Sequence, residues 1–116
     1  MKHVRAGFQL CTEMLFTDLG WRIGRAGAQL IAAPRATGGH RRWVTAASLS
    51  AIVSGCFVAP ANRRSYERDG FAGQSWIVSP EGEILAETTA DSPFATIEID
   101  LRQANAAKQT YPRNLS

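Results

Sequence analysis

Residues 7–18 read Gly7-Phe-Gln-Leu-Cys11-Thr-Glu-Met-Leu-Phe-Thr-Asp18, and this stretch decides the fold because it carries a thiol out of a strand into a strand-to-helix turn. Before the thiol, Val4, Ala6, Phe8 and Leu10 alternate with Arg5, Gly7 and Gln9, the period-2 pattern of a short strand. After it, Thr17 and Asp18 offer side-chain oxygens suited to capping a helix that runs to about residue 26, with Gly27 as the residue just past its end. A cysteine where a strand ends and a helix begins has its thiolate favoured by backbone N–H groups and by the positive helix end. A free cysteine is also among the most often buried residues, so the local pattern alone leaves both a nucleophile and a small apolar core residue open for Cys11.

Composition bounds the answer. The chain has 116 residues, 45% of them hydrophobic, which suits one folded domain with a buried core. It contains no apolar run of membrane-spanning length, and Met1-Lys2-His3-Val4-Arg5 is not followed by the features of a signal peptide, so the expected location is the cytoplasm. Cys11 and Cys56 are isolated, which fits a reducing compartment and gives no zinc spacing. The net charge is +3, with 11 arginines against 2 lysines. Only Arg41-Arg42 and Arg63-Arg64 are adjacent and no aromatic-interleaved basic motif accompanies them, so neither a nucleic-acid nor a membrane partner is expected. Gly20, Gly24 and Gly27 lack the spacing of a dinucleotide-binding loop.

Outward from the first turn, residues 29–33 form an apolar run closed by Pro34, as expected of a strand buried on both faces. Strand, helix and strand then make a right-handed βαβ unit. The loop Arg35-Ala-Thr-Gly-Gly-His40 leaves the same sheet edge as Cys11, where open α/β sheets bind ligands, so Arg35, Thr37 and His40 are candidate pocket residues. For His40 a bond to a loop neighbour is the alternative. Residues 41–54 repeat apolar side chains at helical spacing, Gly55 ends that helix, and residues 56–59 read as a buried strand that makes Cys56 a core residue. Ser79-Pro80-Glu81-Gly82 is a turn joining strands over 75–78 and 84–87. Residues 94–99 alternate as a further strand, a short helix or turn starts at Asp100, and the polar tail 106–116 is expected to extend toward a partner.

Two blocks of this sequence resemble the nitrilase superfamily, the carbon–nitrogen hydrolases. The first runs through Cys11, Glu13, Phe16, Gly27, Ala28 and Pro34; the second through Phe71, Gly73, Ser75, Ile77, Val78, Pro80 and Gly82, with Asn62 closing the strand between them. The likeness covers the family's C-terminal half, and Leu15 and Thr17 stand where the family often has arginine and proline. It implies part of a four-layer α-β-β-α sandwich, here about six strands and two main helices in a single partial domain over residues 1–116. It also implies hydrolysis of a non-peptide amide or nitrile through a thioester on Cys11, with the backbone N–H of Thr12 holding the oxyanion and no metal or organic cofactor. Glu13, Arg35, Thr37 and His40 are then substrate-binding candidates. The family's base glutamate and its lysine lie upstream of the cysteine strand, and Lys2 and Lys108 match neither lysine context. The implied chain is therefore truncated and inactive alone, a homo-oligomer or the companion of a chain supplying the N-terminal half. A non-enzymatic subunit or remnant, and a small α/β binding module with a structural cysteine, are the alternatives.

Overall fold

The computed structural model describes residues 3–65 and 72–115. Five short strands, β1 (Ala6–Phe8), β2 (Leu30–Ala32), β3 (Phe57–Ala59), β4 (Trp76–Val78) and β5 (Ile84–Glu87), form one sheet in chain order. The first three are parallel, and β4 and β5 return antiparallel. The helices are α1 (Thr17–Arg25), α2 (Arg42–Ser54) and α3 (Leu101–Ala107), and a single 3₁₀ segment, Cys11–Leu15, sits between β1 and α1.

Parallel neighbours need a crossover, and α1 and α2 supply the two. Both lie on the face whose central row is Gly7, Ile31, Val58 and Val78, paired across the sheet. Ile31, Val58 and Val78 are fully buried there with Ala46, Ala47 and Ala51 of α2 and with Met14, Cys56 and Trp76. Small residues let the two helices cross closely: a Cβ on Gly24 would stand 2.1 Å from the Ser54 carbonyl oxygen. Gly55 ends α2 at φ 68°, a left-handed backbone suited to glycine, and its N–H donates to Ala51 O.

The other face carries Ala6, Phe8, Leu30, Ala32, Phe57 and Ala59 in the flanking rows. Phe57 is fully buried while Phe8 is 69% exposed, so cover is lost toward β1. Gly7 and Gln9 point to the helices, and the apolar phase of β1, Val4, Phe8 and Leu10, faces outward.

Other departures have local causes. Residues 94–99 alternate in sequence but join no ladder among the described residues, and Phe94 is 88% exposed. Alternation specifies a face and does not supply a neighbouring strand to pair with. Among the described residues there are therefore five strands where about six are expected, and α3 is a third helix. Asp100 caps α3 by accepting from Arg102 N at 3.0 Å. The tail does not extend either. Hydrogen-bonded turns follow α3, and Arg113 is buried, its guanidinium donating to Ala107 O at 3.0 Å and Glu81 Oε1 at 2.6 Å. No helix among the described residues is long and apolar enough to cross a membrane.

Candidate functional site

Cys11 begins the 3₁₀ segment with φ 50°, the one described non-glycine residue in the left-handed region. Such a backbone costs of order 1 kcal/mol or more and persists only where its surroundings over-determine it. Five hydrogen bonds do so. Cys11 N donates to Pro34 O at 3.1 Å, which pins the turn to the end of β2. Glu13 closes it from the other side, its N–H donating to Leu10 O at 3.0 Å and its carboxylate accepting from Leu10 N at 2.7 Å. Gln9, 1% exposed, accepts from Ser50 Oγ at 2.7 Å and donates to Glu13 O at 3.4 Å, tying the turn to α2. The Cys11 side chain remains partly exposed. At the opening of the segment the Thr12 N–H meets no backbone carbonyl among the described residues, as expected for the first donors of a helix.

The neighbouring strand ends build the wall. Arg35, just past β2, bridges Asn62, just past β3. Its guanidinium is buried over the Trp76 ring at 4.5 Å and donates to Pro60 O at 3.3 Å, to Thr37 Oγ1 and to Gln74 O. Burial pushes this cation down to about 10, and the nearby Cys11 acts in the opposite direction. Asn62 fixes the loop by accepting from Thr37 N at 2.9 Å and donating to Thr37 O at 3.0 Å, while its own N–H donates to Ser75 Oγ at 2.8 Å. Thr88 Oγ1 in turn accepts from Ser75 N at 3.1 Å.

Of the residues expected in a pocket, Cys11, Arg35 and Thr37 come to one sheet edge. Glu13 is spent on its own turn, although its side chain is exposed. His40 is exposed and accepts from Arg42 N at 3.0 Å and Arg42 Nε at 3.1 Å, the neighbour bond that was its alternative. Gln9 and Trp76 were missed as organisers of the site. A polar residue in phase with Gly7 reads as a solvent-facing position, and nothing local distinguishes it from one. Phe71 lies outside the described residues.

Cys56 shows the contrast. It is fully buried under α2, with Sγ 3.1 Å from Ala28 O and 3.7 Å from Lys108 Nζ. Burial pushes its thiol up, against smaller opposing effects from the Ser54 hydrogen bond and from Lys108.

Comparison with known proteins bears on the family and the fold. The model of the carbon–nitrogen hydrolase family matches residues 1–109. The chain belongs to this family. It is 28% identical over 113 residues to a mouse deaminated glutathione amidase, covering 93% of this chain and 35% of the mouse protein. It is 27% identical over 115 residues to human omega-amidase NIT2, covering 95% of this chain and 42% of the relative. The chain thus spans well under half the length of these relatives. The C. elegans NitFhit protein superposes with a TM-score of 0.82 at 26% identity over 93% of this chain and 27% of its own. A carbon–nitrogen hydrolase from Helicobacter pylori gives 0.84 over 96% of this chain and 45% of its own, where 22% identity shows the fold alone. Membership in the family displaces the reading of an unrelated α/β binding module.

Proposed function

We propose that this carbon–nitrogen hydrolase domain acts on a small non-peptide amide or nitrile through a thioester on Cys11. The observation that carries the reading is the left-handed Cys11 backbone, held by Pro34, Leu10, Glu13 and Gln9 at a sheet edge with its thiol partly exposed. The Cys11 thiolate attacks the substrate carbon. With an amide, the C–S bond forms, the carbonyl electrons pass to oxygen, and their return breaks the C–N bond as the amine leaves with a proton. Water then adds to the thioester and releases the acid and the thiol. The Thr12 N–H, free of a backbone partner, is the oxyanion donor in this scheme. Arg35 and Thr37 form the inner wall, Glu13 shapes the turn, and His40 belongs to the outer rim.

By the family resemblance, the general base and the lysine of the catalytic set lie upstream of the cysteine strand, and this chain spans only 35% and 42% of the two relatives compared above. A reaction unit without its base loses most of its rate. We therefore infer that the chain by itself is nearly inactive, and that it works as the C-terminal half of a four-layer sandwich. The outward Phe8 and Leu10, 69% and 62% exposed, support a second layer over β1, and they also suit a non-enzymatic subunit seated on a complete homologue.

One experiment separates these readings. The chain is mixed with a polypeptide carrying the family's N-terminal half, and amide hydrolysis and sedimentation are followed for the wild type and for Cys11→Ala. A fragment with a working nucleophile gives association and hydrolysis that Cys11→Ala abolishes. Association without hydrolysis favours the non-enzymatic subunit. A chain that sediments and unfolds cooperatively as a monomer, indifferent to the added half, overturns both.

A further inference from the structure

Among the described residues, Arg35 is a buried cation with no carboxylate partner. It is 6% exposed, and its three hydrogen-bond acceptors, Pro60 O, Thr37 Oγ1 and Gln74 O, are all neutral. The ion pairs among the described residues are Arg102 with Asp100 and Arg113 with Glu81, so no described carboxylate meets the Arg35 guanidinium. Burying a guanidinium without a counter-ion is costly, and neutral acceptors and the Trp76 face recover only part of that cost. A chain needing only a brace between the ends of β2, β3 and β4 would be served by a neutral side chain.

The position of the charge gives it a use. Arg35 directly follows Pro34, whose carbonyl accepts from Cys11 N at 3.1 Å, so the guanidinium and the thiol share one edge of the sheet. Burial is the larger influence on the Arg35 guanidinium, and Cys11 is the titratable group that opposes it. The acid nearest to Cys11 in sequence, Glu13, has its carboxylate turned back onto Leu10 N. Arg35 itself is held out of water, and a charge so placed acts at longer range than it would in solvent.

We propose that Arg35 makes the Cys11 site electropositive, so that the site prefers acyl donors carrying an anionic group over neutral ones of the same shape. This rests on the assignment of Cys11 as the reactive thiol. Arg35 acts here through its field as a specificity-determining residue, without entering the bond changes.

Iodoacetate and iodoacetamide test it, because the two reagents are nearly the same shape and differ by one negative charge. Their rates at Cys11 are read by mass spectrometry of the Cys11 peptide, which separates it from Cys56. The iodoacetate-to-iodoacetamide ratio is divided by the same ratio for N-acetylcysteinamide. In the wild type the normalised ratio should be roughly ten, the size expected of a unit charge on the order of 12 Å away at an effective dielectric of about 20. Arg35→Lys, which keeps the charge, should preserve most of the preference. Arg35→Gln should bring the ratio to about one. If Arg35→Gln does not fold, the wild-type ratio and the Lys variant still decide. A wild-type ratio near that of N-acetylcysteinamide, or a folded Arg35→Gln that keeps the preference, overturns the inference and leaves the nucleophile assignment standing. A Cys11 that reacts with neither reagent in the folded chain, yet with both when unfolded, overturns the assignment and the inference together.

Discussion

The two faces of the sheet are both apolar in sequence, and they differ in what covers them. On one, Ile31, Val58 and Val78 are fully buried beneath α2, and a polar residue, Gln9, is 1% exposed among them. On the other, Val4, Phe8 and Leu10 are 49%, 69% and 62% exposed. Alternation along β1 identifies an apolar face, but it does not say that this face is the one its own chain covers. A continuous apolar strip in the open, beside a buried glutamine, is where the second layer proposed above would sit. The difference also separates two kinds of residue near Cys11. Those on the helix side hold the turn, and those on the open side are exposed.

The largest effect should come from the helix layer itself. In Gly24→Val the new Cβ would stand 2.1 Å from the Ser54 carbonyl oxygen and only 2.8 Å from its Cα, both backbone atoms that cannot swing aside. The expected cost is about 3 kcal/mol or more, enough to remove the cooperative thermal transition seen by circular dichroism. A transition within a few degrees of the wild type would mean that α1 and α2 do not cross as closely as described.

The faces themselves can be compared by paired truncations. Ile31→Ala empties a fully buried position and should cost about 2–5 kcal/mol in urea unfolding. Phe8→Ala removes a larger side chain that is already 69% exposed, and should cost less than about 0.5 kcal/mol. Equal losses would show that Phe8 is covered in solution by another copy of the chain, and the Phe8→Ala loss would then depend on protein concentration.

Much of the fold was legible because its signals are local. The apolar run before Pro34, the 41–54 helical period with Gly55, and the Ser79–Gly82 turn each follow from the chemistry of a few neighbours. The turn closes as expected, Gly82 N donating to Ser79 O at 2.8 Å. That Cys11 lies just past a strand, where a helical turn begins, was equally readable. What could not be read depends on partners distant in sequence. Gln9 is buried because Ser50, on α2, meets it, and Arg35 is a wall residue because Trp76 lies under it. The strand expected over 94–99 failed for the same reason, since its alternation lacked a neighbour to pair with. The tail around Arg113 folds back because Glu81 in the hairpin turn gives it an anion.

The smallest expected effect concerns the thiol on the covered face. Cys56 is fully exposed to labelling only after unfolding, because folding removes it from water entirely. Burial raises its pKa in the folded chain above the ordinary 9.0, with the Ser54 hydrogen bond and Lys108 pulling the other way. The sign follows from linkage: a group whose folded pKa lies above its unfolded one contributes stability that is complete below the unfolded pKa and lost as pH rises through the folded pKa. Cys56→Ala removes the titrating group and leaves Lys108 and every other alkaline group in both proteins. The stability difference between wild type and Cys56→Ala should therefore be constant below about pH 8 and shift against the wild type as pH rises past about 9. Urea unfolding of the two proteins across that range measures it. A difference that stays flat through the alkaline range would mean that the Cys56 thiol titrates alike folded and unfolded, and so that the covered face admits water where the structure shows it sealed.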